Sequence, residues 1–181
     1  MEALECIETR RSVRRFTAQP VTREEVEQAV ATAAYAPSWK NTQVARYIVV
    51  TNSAVKQQLA DECMLGFTAN QQTAHHAPAL VVVTTINSRS GYERDGSFTT
   101  SQGTHWQSFD AGIATQTFCL AAHALGLGTV IMGIFDEEKV AQTAGVPEGQ
   151  TAAAIIALGH PDEEPMVPKR KDVETLLSFV D

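Results

Sequence analysis

The stretch 110–125 is apolar on nearly every helical face: Ile113, Ala114, Phe118, Cys119, Leu120, Ala121, Ala122 and Leu125 leave no broad polar side, and Gly126 and Gly128 punctuate its end. A helix with one apolar stripe can lie on a surface. One that is apolar nearly all round has to be enclosed, at the centre of a core or in a subunit interface. Residues 80–86, Leu80-Val81-Val82-Val83-Thr84-Thr85-Ile86, make the same demand in extended form, because a β-branched run that is apolar on both faces reads as a central, buried strand.

Other elements have to wrap these two. With 181 residues, 44% of them hydrophobic and 19% charged, the chain is long enough for one substantial core and short for two, so residues 1–181 are expected to form a single domain. Residues 3–9 suggest a short helix with Leu4 and Ile7 inward. Thr22-Arg23-Glu24-Glu25 is a capping-box pattern ahead of Val26, Ala29, Val30 and Ala33, one face of a helix that should end before Pro37. Residues 44–51 read as a strand, and Ser53 can cap a helix running to Met64. Residues 128–134 read as a strand, Asp136 caps a helix ending at Gly145, and 152–158 form a further strand before His160-Pro161-Asp162. Pro161, Pro165 and Pro168 make 161–168 irregular, which leaves a C-terminal arm tied down by Leu176, Leu177 and Phe179, of a kind that often lies on a partner subunit.

Composition excludes several classes. No apolar run approaches the roughly 20 residues of a membrane helix, and the opening residues lack the order of a secretory signal, so a cytoplasmic protein without a membrane role is expected. Cys6, Cys63 and Cys119 fit neither a disulfide framework nor a C-x-x-C pair, and are expected to be reduced and mostly buried. A net charge of -7 argues against nucleic-acid binding. His75, His76, His105 and His123 lack ligand-spaced partners and read as structural rather than metal-binding. There is no G-x-S-x-G elbow, and Gly126-x-Gly128 lacks the third glycine of a dinucleotide fold.

Against this acidic background, Arg10, Arg11, Arg14 and Arg15 stand together, and Lys169, Arg170 and Lys171 are consecutive. If 10–16 is extended, Arg10, Ser12 and Arg14 share one face and Arg11, Val13 and Arg15 the other. Two guanidinium forks and a hydroxyl suit a phosphate, and the C-terminal basic triplet can close its other side. Solvated surface charge is the alternative, and composition alone favours it. A second candidate is Ala36-Pro37-Ser38-Trp39-Lys40-Asn41-Thr42-Gln43, between a helix and a strand, where Ser38, Asn41 and Gln43 offer the donors and acceptors that a heterocycle's polar edge requires. An ordinary turn that caps its own backbone is equally compatible. Residues 87–104, rich in Ser, Thr, Gly and charge, read as a long surface loop, either a cover over a pocket or a mobile insertion.

Taken in order, these motifs resemble the FMN-dependent nitroreductase family. The resemblance runs through Arg10-Arg11-Ser12-Val13-Arg14-Arg15-Phe16 and Pro37-Ser38-x-x-Asn41-x-Gln43, then Ala77-Pro78-Ala79-Leu80, Asp110-Ala111-Gly112 and Leu125-Gly126-Leu127-Gly128-Thr129. It ends at Leu158-Gly159-His160-Pro161 and the Arg170-Lys171 tail, and covers essentially the whole chain. It implies an α+β fold, with a central, mainly antiparallel sheet flanked by helices, in an intertwined homodimer with FMN sites at the subunit interface.

The resemblance also implies roles. Arg10, Arg11 and Ser12 would hold the phosphate and ribityl chain, and Arg170, helped by Lys169 or Lys171, would complete the phosphate site. Arg14 would lie near the N1 and C2 carbonyl edge of the ring, where a fixed cation favours the reduced, anionic flavin. Pro37, Ser38, Trp39 and Asn41 would reach the ring from the other subunit. Gln71, in preference to Asn70, would supply an amide, and Ile131, Met132 and Gly133 would pass behind the ring, where little room is left for side chains. The sequence departs from the family at His160, which reads as structurally minor, and at Trp39, whose bulk is expected to narrow the pocket toward flat molecules.

The reaction implied is ping-pong: NADH or NADPH gives a hydride to flavin N5 and leaves, and a nitroaromatic, quinone or similar small acceptor then takes the electrons. The cofactor carries that chemistry, so no catalytic acid or base is named. A flavin-binding sensor or carrier with little turnover is the alternative. The family also contains members that dehalogenate, oxidise peptide rings or break down flavin.

Overall fold

The computed structural model describes residues 1–180. Its elements follow as α1 (Ala3–Thr9), α2 (Arg23–Ala33), β1 (Ala45–Val50), α3 (Ser53–Glu62), α4 (Thr68–His76), β2 (Ala79–Ile86), α5 (His105–Ala124), β3 (Gly128–Met132), α6 (Glu137–Ala144), β4 (Gln150–Gly159) and the one-turn α7 (Val173–Leu176). The strands form one sheet in the order β1-β2-β4-β3, with every neighbouring pair antiparallel.

The run at 80–86 explains why helices cover both faces. In β2, Leu80 and Val82 enter one core with Leu59 of α3, Ala74 of α4 and Val140 of α6, whereas Ala79, Val81 and Val83 enter a second with Val26 of α2 and Phe118 of α5. β4 divides in the same way, Ile155 and Ala157 to the first core, Ile156 and Leu158 to the second. A two-residue period with both phases apolar needs a helical layer on each side, which makes the fold α+β.

Local chemistry sets most boundaries. Thr22 and Glu25 form the reciprocal capping box of α2. The Asp136 carboxylate accepts the Lys139 amide at the head of α6, and Gly145 closes that helix in the left-handed region, φ 66°. At α3 the cap is Asn52 rather than Ser53, its side-chain oxygen accepting the amides of Ala54 and Val55, and the helix stops at Glu62. Helix α4 has no counterpart in the sequence reading: Phe67 provides no side-chain cap and only Ala69 and Ala74 are apolar, so burial of Thr73 and Ala74 rather than local signals holds it.

Two apolar expectations change. Helix α1 forms as read, yet Cys6 is its buried residue, donating from its thiol to the Leu120 carbonyl at 3.4 Å, while Leu4 and Ile7 are exposed. The helix meets α5 through Cys6 and turns the other two away from the chain's own core. Leu176, Leu177 and Phe179 are likewise exposed, so the arm is not tied down on its own chain. Helix α5 is enclosed on one side, where Ala111, Ala114, Phe118 and Ala122 are buried, but Phe109 is open on the other.

The arginine segment is laid along the ends of β3 and β4. The Val13 amide donates to the Thr129 carbonyl at 2.9 Å, the Thr17 amide to that of His160 at 2.9 Å, and Val13 and Phe16 are buried beneath. This crossing requires two glycines. A Cβ on Gly128 would stand 2.8 Å from Val13 Cβ, and one on Gly159 would stand 2.6 Å from Pro78 Cδ and 2.8 Å from Phe16 Cδ1.

Candidate active site

Arg10, Arg11, Ser12 and Arg14 line one cavity, of about 560 Å³, together with Arg170 from the C-terminal arm. Two basic segments at opposite ends of the chain therefore meet. Lys169 and Lys171 do not line this cavity. Arg15 also lies outside it, paired with Glu163 at 3.4 Å. Strict alternation would have separated Arg11 from Arg10. The two stay together because Arg10 is the C-cap of α1, where the chain turns, and the Arg11 guanidinium folds back to the carbonyls of Glu8 and Arg10.

The electrostatics of this cavity are unbalanced. Glu163 is the carboxylate on its wall, but its Oε1 is held by the backbone, accepting the amides of Arg14 at 2.6 Å and Arg15 at 3.0 Å, and its Oε2 accepts from the Arg15 guanidinium at 3.4 Å. The Arg14 amide first, and then the Arg15 amide and guanidinium, hold its carboxyl below the usual range. Arg10 and Arg11 make no ion pair among the described residues, and the Nε of each is buried without a partner. Buried guanidinium donors left unpaired are costly, and an anion with several acceptor oxygens would satisfy them. His123 stands beside the same arginines, its Nε2 2.9 Å from the Thr9 hydroxyl. Burial first, then Arg10 and Arg11, push its pKa down.

The 37–43 segment forms a second site. Ser38, Trp39, Trp106, Phe109 and Ile113 line a cavity of about 280 Å³, in which the Trp39 and Trp106 rings stand 4.5 Å apart and Phe109 meets Trp106 edge-on at 5.6 Å. Lys40, Asn41 and Gln43 all have positive φ, at 43°, 56° and 49°. Each costs on the order of 1 kcal/mol for a side chain that is not glycine, so the loop must be held from outside. Asp110 does this from within α5: both its oxygens lie 3.0 Å from the Trp39 amide, and one also accepts the Ser90 hydroxyl. Hydrogen bonds to a charged group contribute about 1.5–3 kcal/mol each, enough to offset that strain. The sequence reading missed Ser90, Trp106, Phe109 and the role of Asp110. An acid embedded in an otherwise apolar helix was the one available signal.

The other candidates are dispersed. Asn41 is exposed, and Gln71 lines none of these cavities, its side-chain amide 3.5 Å from the Asp61 carbonyl. Ile131 faces a separate cavity beside Gln107 and Thr151, and Met132 is buried. A Cβ on Gly133 would meet nothing within 4 Å, so the crowding expected there is not found within one chain. The arginine cavity and the Trp39 cavity share no lining residue. Among the described residues no group of acids, histidines or cysteines is placed to hold a metal, and no helix is long and apolar enough to cross a membrane.

Comparison with known proteins gives a consistent result. The NADPH-flavin oxidoreductase of Vibrio harveyi is 31% identical over 170 residues, which are 92% of this chain and 69% of that protein. The solved structure of the NADPH:FMN oxidoreductase from Vibrio harveyi complexed with NAD+ superposes with a TM-score of 0.80 at 28% identity, covering 97% of this chain and 76% of the other. A nitroreductase family protein from Clostridium novyi NT gives a TM-score of 0.78 at 26% identity, with 90% and 87% covered. The sequence profile of the Nitroreductase family matches residues 7–160, a span that takes in the arginine segment, the Trp39 loop and the whole sheet. The chain belongs to the nitroreductase family.

Proposed function

We propose that this protein binds FMN across two half-sites, one from each subunit of a homodimer, and uses NADH or NADPH to reduce a small acceptor such as a quinone or a nitroaromatic. Family membership makes it an NAD(P)H oxidoreductase. The observation that carries the FMN reading is the arginine cavity, where buried guanidinium Nε atoms stand without partners and a phosphate would meet them.

Bound FMN would supply the two-electron chemistry, accepting a hydride from the nicotinamide and passing it on. Arg10, Arg11 and Ser12 would hold its phosphate and ribityl chain, with Arg170 closing the site from the arm. Arg14, in the same cavity, would put a positive charge at the ring's electron-rich edge. Pro37, Ser38, Trp39 and Asn41 line no part of that cavity in their own chain, so on this reading they serve the partner's flavin. The exposed apolar residues of α1, α5 and the arm support the dimer, since Leu4, Ile7, Phe109, Leu176 and Phe179 would be covered by a second copy.

Steady NADH or NADPH consumption with a quinone or nitroaromatic, dependent on added FMN, is the expected outcome of an assay on the purified protein. Tight FMN binding without turnover would favour a carrier or sensor. The absence of both would refute the reading.

A further inference from the structure

We infer that Asp110 is the positioning residue of the acceptor side of the site: its buried carboxylate clamps the strained Trp39 loop and so fixes the Trp39–Trp106 pair that selects flat aromatic acceptors. This rests on the functional reading above and deepens it.

Asp110 is 3% exposed and forms no ion pair among the described residues, so its charge is met by hydrogen bonds alone. Ser90, fully buried on the 87–104 loop, donates its one hydroxyl proton to that carboxylate. Its 2.9 Å contact with Thr42 must therefore be a bond that Thr42 donates. The chain of donors runs Thr42 to Ser90 to Asp110, and the Trp39 amide donates from the other end. Both ends of the 39–42 turn are thus fastened to α5, and the 87–104 loop with them.

The Trp39 indole has no hydrogen bond of its own, for its Nε1 is buried and unpaired. What places the ring is its contact with Trp106, the clamp on its own backbone amide, and the Lys40 ammonium, 5.6 Å from the ring centroid and carried on the same turn. Trp106 is fixed separately, its indole donating to the Thr100 hydroxyl at 2.8 Å. Releasing Asp110 therefore frees one ring of the pair and leaves the other held.

The chain's two tryptophans are these two, so intrinsic tryptophan emission reports on this cluster alone. The test compares wild type with Asp110→Ala, Asp110→Asn and Ser90→Ala by emission spectrum, thermal melt, FMN titration and steady-state kinetics with a naphthoquinone. Asp110→Ala is expected to shift the emission to the red and raise the KM for the quinone roughly tenfold, with a much smaller change in kcat. Asp110→Asn is expected to fall between wild type and the alanine variant in spectrum and KM, because the amide keeps one oxygen for the Trp39 N–H but puts a donor where the second oxygen accepts from both Trp39 and Ser90. A folded Asp110→Ala protein with wild-type emission and KM overturns the inference. So does an Asp110→Asn protein as impaired as the alanine variant, since the Trp39 bond that the amide keeps would then contribute nothing. If Asp110→Ala does not fold, Ser90→Ala decides: a red shift supports the clamp, and unchanged emission overturns it. Emission needs no flavin, so a protein that fails to take up FMN refutes the functional reading while the spectra still judge the clamp.

Discussion

Arg10 and Arg11 bring guanidinium groups into a cavity whose one carboxylate, on Glu163, is committed to the Arg14 and Arg15 amides and the Arg15 guanidinium. An incoming phosphate would therefore meet donors that have no competing anion. Arg10→Ala or Arg11→Ala should weaken FMN binding by about 1.5–3 kcal/mol, measured by quenching of flavin fluorescence, because each removes a charge-assisted bond. Glu163 contributes differently. Its pKa is depressed below 4.5, so the stability it confers is fully present above that pH and is lost as pH falls through the lower folded value. Glu163→Gln should therefore lower the melting temperature at neutral pH, and the difference should vanish in acid. A difference that persists there would mean the carboxylate acts through something other than its charge. Trp39→Ala should narrow the gap between flat and bulky acceptors in relative rate, and unchanged relative rates would show that the indole does not shape the pocket. The arginines were legible in the sequence because clustered charge is conspicuous in an acidic chain. Asp110 and Ser90 were not, because their partners lie across the fold and one buried acid leaves no period.

At the scale of elements, the apolar patterns of β2 and β4 were read correctly because a strand's period of two assigns each residue to a face without further information. Helix α4 escaped for the opposite reason: it has neither a cap nor a stripe, and only packing holds it. The apolar character of Leu4 and Ile7 points inward only if such residues seek their own chain's core, which their exposure contradicts. The crossing of the arginine segment over the sheet is the most demanding junction between elements. Gly159→Ala would drive a Cβ to 2.6 Å from the Pro78 ring and 2.8 Å from the Phe16 ring, neither of which has a flexible end to yield. Overpacking of this kind should cost about 1–3 kcal/mol, and thermal denaturation is the check. Because Phe16 sits at the end of the arginine segment, FMN affinity should fall with stability.

Across the whole molecule, one chain carries two cavities with no lining residue in common, the proposed half-sites, together with exposed apolar residues on α1, α5 and the arm. The proposed second copy would account for both at once. Sedimentation of the full chain should give twice the chain mass, and truncation after Asp172, which keeps Arg170 but removes Leu176, Leu177 and Phe179, should weaken the assembly. A full-length protein that sediments as a monomer would contradict the shared site. The central claim, that this family member is an FMN enzyme reduced by a nicotinamide, is tested most directly by its visible spectrum. The protein would be reconstituted with FMN, freed of excess cofactor and titrated anaerobically with NADH and then NADPH. The account predicts flavin absorbance that stays with the protein, bleaches on addition of at least one of the two nucleotides and returns when a quinone is added. Absorbance that washes away, or a bound flavin that neither nucleotide bleaches, would contradict it.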